Sequence, residues 1–256
     1  MTAPQDILLL RLEAPLMAFG GPMIDHNGVT GRTPGLAQMT GLLANALGWE
    51  HADAARLERL QDRLDFAAAV LQPGRELVDY QTVDLGQAHL VDTGWTTRGT
   101  REDRGSGEAT RGTHIRYRHY WADSAVLVAL RLTAPDEAPT LEDLVRALDE
   151  PERPLFIGRK TCLPTMPLLL GRIEVAGLVE ALEQALVLAD QAGTPNRQRR
   201  APGGSFAEWP ASPRALEPNH QARRVDRRDW RNQVLGGERL VTVATLPEPG
   251  TGTTHP

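Results

Sequence analysis

The chain has 256 residues, 41% of them hydrophobic, and a single cysteine, which excludes full disorder and an internal disulfide. No run of ~20 apolar residues exists, so no membrane-spanning helix is expected, and the start, M-T-A-P-Q-D-I-L-L-L, lacks the basic region of a signal peptide. A net charge of −5 excludes a uniformly basic nucleic-acid binder.

The charge is unevenly placed. Residues 98–120 hold six arginines against three acids, and residues 193–231 hold nine against four. The rest of the chain therefore sums to −13. An acidic body with two basic segments can present phosphate-binding patches at defined places. Of the basic residues, 27 are arginine and one, Lys160, is lysine, a bias that fits a GC-rich genome.

Ile7-Leu8-Leu9-Leu10-Arg11-Leu12 reads as a buried strand. A loop rich in Gly and Pro follows over residues 15–34. Apolar residues at Leu36, Met39, Leu42, Leu43, Ala46 and Leu47 then repeat with a helical period, with Thr33 as expected N-cap and Pro34 at the first helical position. Residues 54–64 predict a second, charged, amphipathic helix. Residues 66–71 predict a strand, although the alanines at 67, 68 and 69 favour helix. Residues 80–119 are long, rich in Gly, Thr and Arg, and weakly periodic, which predicts a functional excursion. Strand character returns at Tyr120 and strengthens over Ala125–Leu132. Thr140 and Asp143 form a capping-box pattern ahead of a short helix. Residues 168–175 predict a strand and residues 177–192 an amphipathic helix.

The order is β, α, α, β, excursion, β, α, β. Without the excursion it is the βαββαβ order of an α+β, ferredoxin-like domain, an order shared with the RNA-recognition module and its open sheet face. This predicts a domain over residues 1–192, with a thumb insertion at about 80–119. Residues 193–246 are read as a smaller, irregular, arginine-rich extension with a hairpin across Gly236-Gly237, and residues 247–256 as a disordered tail.

Catalytic signatures are sparse. Gly158-Arg159-Lys160-Thr161 fails the P-loop pattern, because Arg159 separates glycine from lysine and no glycine stands five residues earlier. Cys162 is followed by Leu163-Pro164 and reads as a packed thiol. The seven histidines form no metal-binding spacing, and Ser106, Ser124, Ser205 and Ser212 lack a nucleophile-elbow setting, so no metal or cofactor is expected. Arg159 and Lys160, at a turn after a strand, suit a phosphate without any nucleophile. The segment R-G-T-H-I-R-Y-R-H-Y places His114 and His119 among arginines and tyrosines. That pattern fits an RNA-binding strand better than a nuclease, although a histidine can cut RNA without metal.

Several stretches resemble one family. L-L-L-R-L-E-A-P-L-M-A-F-G is similar to the opening strand and loop of the CasD-type subunits of type I-E CRISPR Cascade. G-R-T-P-G-L-A-Q-M-T-G-L-L-A-N-A-L-G-W resembles that family's loop and first helix. R-Y-R-H-Y-W-A-D-S-A-V-L-V-A-L and P-L-F-I-G-R-K-T-C-L-P-T-M-P-L-L-L-G resemble its next two motifs. The matches run in the family's order over residues 7–190.

The resemblance implies a RAMP-type RNA-binding fold with a ferredoxin-like domain and a thumb. It implies a non-catalytic, cytoplasmic subunit that grips the 5′ handle of the crRNA and caps the complex. Its partners would be the large subunit and the backbone subunits, with target DNA met through the assembly. Type I-C relatives cleave RNA with a Tyr, Lys and His set. Here the only lysine is Lys160, and His119 follows Arg118, so an endoribonuclease is the alternative and a protein-interaction module the third reading. On this view Arg98, Arg101, Arg104, Arg111, Arg116 and Arg118 track phosphates, with His114 among them, and Trp95 stacks on a base. Gly31, Arg32, Thr33 and Pro34 place a helix N-terminus at a phosphate, with Gln38 and Met39 facing the handle. Arg159 and Lys160 lie near RNA or a neighbouring subunit.

Overall fold

The computed structural model describes residues 3–23, 25–84, 94–95, 101–102, 113–191, 204–211 and 221–247. The first strand, β1 (Gln5–Met17), lies inside a mainly antiparallel sheet. It pairs on one side with β7 (Thr113–Leu132) and on the other with β8 (Leu169–Val175). Beyond β7 lies β3 (Leu64–Gln72), then β9 (Ser205–Pro210), β11 (Val234–Leu246) and β10 (Gln221–Asp229). The order is β10-β11-β9-β3-β7-β1-β8. Two more strands attach to β7. These are β2 (Asn27–Gly28), which is parallel to it, and β4 (Arg75–Asp84).

Both faces of this sheet are buried, which is why β1 is apolar at every position from Ile7 to Leu10. Leu8, Leu10 and Leu12 join Phe66, Val70, Val126 and Val128 on one face. That face packs under α1 (Leu36–Ala46) and α3 (Leu141–Asp149). Ile7, Leu9, Leu127 and Ala129 face the other way, under α4 (Leu178–Gln191). Here the alanines of β3 find their reason. Ala67 and Ala69 meet Ala181, Ala185 and Ala189 of α4 in one fully buried cluster, so small residues on both partners let helix and sheet approach closely. Tertiary packing overrides the helix preference of alanine.

The helix α2 (Ala54–Arg63) ends on an arginine that is 1% exposed. Arg63 donates to the carbonyls of Thr133, Ala134, Glu137 and Pro139 at 2.6–3.2 Å and so holds the turn after β7. Burial pushes its pKa down, with the carboxylate of Glu137 acting in the opposite sense. The capping box at Thr140 and Asp143 forms as predicted. The Asp143 N–H donates to Thr140 Oγ1 at 3.2 Å and the Thr140 N–H to Asp143 Oδ2 at 2.9 Å.

Three expectations change. The described C-terminal residues are not irregular, because β9 pairs with β3 (Ala68↔Glu208, Ala69↔Ala207) and makes β9, β10 and β11 part of the main sheet. Its hairpin turns at residues 230–233, while Gly236 and Gly237 lie within β11, where the ladder shifts register beside Arg227. The excursion read as a loop over 80–119 is bounded by paired strands. β4 runs against the first half of β7 from Arg75↔Ala122 to Asp84↔Thr113. Only Pro73-Gly74 separates β3 from β4, and both strands follow the same 20-residue β7. At that junction Gly74 has φ +63°, and an added Cβ would lie 2.4 Å from the Ala122 carbonyl oxygen. The result is an exposed two-stranded arm of about 30 Å, estimated from the strand rise. In a separate two-stranded sheet, β5 (Gly94–Trp95) pairs with β6 (Arg101–Glu102). Among the described residues no helix is long and apolar enough to cross a membrane.

Candidate nucleic-acid interface

Alternation along β7 divides the arm into two faces. One carries His114, Arg116, Arg118 and Tyr120 at every second position, spaced by about 7 Å. Arg116 and Arg118 are exposed. The turn at residues 157–162 extends this row. Arg159 lies over the Tyr120 ring, 4.4 Å from its centroid, and donates to the carbonyls of His119 at 2.9 Å and Gly28 at 3.0 Å. Lys160 stands beside it, exposed.

That turn is held tightly. Ile157 N–H donates to the Cys162 carbonyl and Cys162 N–H to the Arg159 carbonyl, each at 2.8 Å. Gly158 has φ +92°, and an added Cβ would fall 1.7 Å from the Ala18 carbonyl oxygen, so only glycine fits. Cys162 is fully buried, and burial raises its thiol pKa, the opposite of what a nucleophile needs. The turn displays two cations, and the cysteine packs behind them.

The other face of the arm is aromatic. Tyr80 and Tyr117 lie with ring centroids 5.3 Å apart, and His26 lies 5.6 Å from Tyr117. His119 Nδ1 is 2.6 Å from Glu76 Oε1. At the base Trp121 donates from Nε1 to the Gly31 carbonyl at 2.6 Å, and the Arg32 guanidinium covers its ring at 4.1 Å. Gly31 and Arg32 thus join the arm, but on the face opposite Arg116 and Arg118.

The expected phosphate site at the start of α1 is closed. Gly35, not Thr33, is the N-cap residue, and the Leu36 N–H donates to Asp226 Oδ2 at 3.0 Å. Asp226 is itself gripped by Arg239 at 2.9 Å. A carboxylate from β10 already serves the helix dipole there. Thr33 donates its hydroxyl to Glu208 at 2.7 Å, and Pro34 is buried. Gln38 donates to the Ala18 carbonyl at 3.2 Å and so braces the backbone just beyond β1 that Gly158 crosses. Met39 is a correction, since it is fully buried in the core and offers nothing to a ligand. Trp95 and Arg101 lie in the β5–β6 ladder, described by backbone alone. Arg98, Arg104 and Arg111 fall outside the described residues.

Ion pairing distinguishes several arginines of the C-terminal strands from the cations of the arm and the 157–160 turn. On the C-terminal strands Arg223 pairs with Glu238, Arg224 with Glu208, Arg227 with Asp62 and Arg239 with Asp226. Arg228 covers Trp230. By contrast Arg32, Arg116, Arg118, Arg159 and Lys160 pair with no carboxylate among the described residues. An unneutralised cation attracts a phosphate, whereas a paired one must first give up its partner.

Residues 7–242 match the family model described as "CRISPR-associated protein (Cas_Cas5)". The chain belongs to the Cas5 family. The "CRISPR system Cascade subunit CasD" of Escherichia coli (strain K12) is 31% identical to it over 178 residues, which are 70% of this chain and 76% of that one. A chain of a solved "CRISPR RNA-guided surveillance complex" shares its fold with a TM-score of 0.66 at 23% identity, over 96% of this chain and 92% of that one. A second solved chain, from "Crystal structure of Cas protein", aligns with a TM-score of 0.59 at 24% identity, over 94% and 95%. This Cas5 chain is thus a mixed α/β protein with a mainly antiparallel sheet, as those structures are.

Sequence reasoning missed Glu76, Tyr80 and His26. The apolar residues of R-E-L-V-D-Y-Q-T-V-D fall on both faces of the ribbon, so this strand carries no local signal and becomes visible only beside β7, and His26 lies in a separate loop.

Proposed function

We propose that this Cas5-family chain is a non-catalytic RNA-binding subunit of a type I-E CRISPR surveillance complex, gripping the 5′ handle of the crRNA and capping the assembly. The observation that carries this is the row formed by Arg116, Arg118, Arg159 and Lys160, which pair with no carboxylate among the described residues, whereas Arg223, Arg224, Arg227 and Arg239 of the C-terminal strands do. The order β8-β1-β7-β3, with α1, α2 and α3 in the two crossovers, supports a ferredoxin-like core. The β4–β7 arm supports the thumb reading, with its base at Arg75 instead of Tyr80. With α4 over the second sheet face, RNA runs along the arm and not across the sheet. The likeness to the CasD subunit supports a large subunit and backbone subunits as partners, with target DNA met through the assembly.

The test is to purify the tagged chain from its host and sequence the 5′ ends of co-purifying RNA. A shared repeat-derived 5′ end followed by variable spacers is expected. Absent or random RNA would overturn the proposal.

The His119–Glu76 pair gives the alternative its footing. A carboxylate on Nδ1 orients the ring and leaves Nε2 for proton transfer, the format of a metal-independent nuclease. If His119→Ala abolished metal-free cleavage of repeat RNA while leaving RNA affinity intact, the endoribonuclease reading would replace the first.

A further inference from the structure

Among the described residues β4 pairs only with β7, and β2 occupies part of the far side of β7. The Tyr117 N–H donates to the His26 carbonyl at 3.0 Å, so it points away from β4. Tyr117 faces Tyr80 in the antiparallel ladder, and facing residues alternate between hydrogen-bonded and non-hydrogen-bonded pairs. The Tyr80 N–H and C=O therefore point outward, as do those of Glu76, Val78 and Thr82. This is a row of backbone donors and acceptors on an exposed strand that no other strand pairs among the described residues.

The side chains along that row are adhesive. Leu77, Val78, Tyr80 and Val83 are 38–55% exposed, two on each face of the ribbon. The other terminal strands differ. β10, with the sequence Q-A-R-R-V-D-R-R-D, is guarded by charge, and β8 holds no proline or lysine but is largely half-buried. The β4 sequence R-E-L-V-D-Y-Q-T-V-D contains neither lysine nor proline, the usual guards of an exposed edge.

Charge selects the occupant. Between Glu76 and Thr82 β4 carries two carboxylates, Glu76 and Asp79, and no lysine or arginine, whereas the facing part of β7 carries arginines and histidines. The arm is thus acidic along its free edge and basic along its inner strand. Phosphates are repelled from the edge, and a second copy of β4 would set acid against acid. We propose that the β4 edge is a docking site for an extended segment of a partner protein with basic side chains, which adds as a strand beside Glu76–Thr82. The assignment does not depend on which RNA the basic row binds.

The test compares deuterium exchange of residues 75–84 in the full chain purified alone and in the assembly recovered from the host through a tag on this chain. The amides of Glu76, Val78, Tyr80 and Thr82 should exchange freely in the isolated chain. In the assembly they should slow by about a hundredfold and stay slow after ribonuclease treatment. Thr82→Pro removes one outward N–H without touching the β4–β7 ladder, and should weaken retention of the bound protein about tenfold. Thr82→Ala should retain it. Free exchange in the assembly, protection lost on ribonuclease treatment, or slow exchange in the isolated chain at raised concentration would each overturn the proposal. The last two outcomes would assign the edge to RNA and to a second copy. Failure of the RNA-subunit reading is seen separately, as missing repeat-derived RNA in the same preparation.

Discussion

Replacing Arg116, Arg118 and Lys160 together by alanine removes three exposed cations that pair with no carboxylate among the described residues. Arg159 is left in place, because it also holds two carbonyls and the Tyr120 ring. Each phosphate neutralised on a single strand contributes about −0.7 to the slope of log K against log salt. Four contacts from Arg116, Arg118, Arg159 and Lys160 give a slope of about −2.8, and one remaining contact gives about −0.7. Between 50 and 200 mM salt the unaltered chain should lose about 50-fold in affinity and the triple variant about threefold. Fluorescence anisotropy with a labelled single-stranded repeat RNA, titrated at four salt concentrations, reads both slopes. Arg223→Ala with Arg227→Ala is the control, since both arginines are engaged by Glu238 and Asp62. An unchanged slope in the triple variant, or an equal loss in the control, would refute the reasoning.

Other consequences follow from single side chains. Gly158→Ala should lower stability by at least about 2 kcal/mol in urea unfolding, because φ +92° and the nearby Ala18 carbonyl leave no room for Cβ. Asp226→Ala removes the acceptor at the α1 N-terminus and leaves Arg239 unpaired, so it should cost about 2–4 kcal/mol, with Asp226→Asn milder. Hydrogen bonds from Thr140 hold the Asp143 carboxyl below its usual pKa. Its contribution is therefore complete above the unfolded-state carboxyl pKa and is lost as pH falls through the lower folded-state value, and Asp143→Asn should flatten that part of the acid unfolding curve. Cys162, buried and with its thiol pKa raised by desolvation, should resist iodoacetamide at pH 8 in the folded chain and react once denatured.

How much of this was legible depended on how far apart the cooperating residues lie. The strands β1 and β8, the helix α4 and the capping box of α3 announce themselves through short-range periodicity or a three-residue spacing. Thr33 is a reasonable N-cap by residue type, yet the acceptor that serves α1 is Asp226, 190 residues away. A residue at that distance leaves no local trace. The same is true of the arginines on β10, whose partners Asp62 and Glu208 lie on other elements. As a run of charge they suggested a second phosphate patch, and as folded neighbours Arg223, Arg224 and Arg227 are each held by a carboxylate. The arm was hidden for another reason. Apolar residues of β4 emerge on both faces of an exposed ribbon, so neither one-sided alternation nor a continuous apolar run betrays a strand. Met39 shows the limit of placing a residue by its motif, because the helical period that predicts α1 also turns that side chain into the core. The turn that carries Arg159 and Lys160 was legible as a turn, because Gly158 follows a short apolar run there, and so was the packing of Cys162 ahead of Leu163-Pro164.

The most direct measurement is photocrosslinking of the RNA-bound assembly recovered from the host, with the adducts on this chain mapped by mass spectrometry. Adducts at Tyr117–Trp121 and Arg159–Lys160, and none on β10 or β11, are the predicted result. Adducts confined to the C-terminal strands, or absent from the arm, would contradict the claim that Arg116, Arg118, Arg159 and Lys160 form the RNA surface.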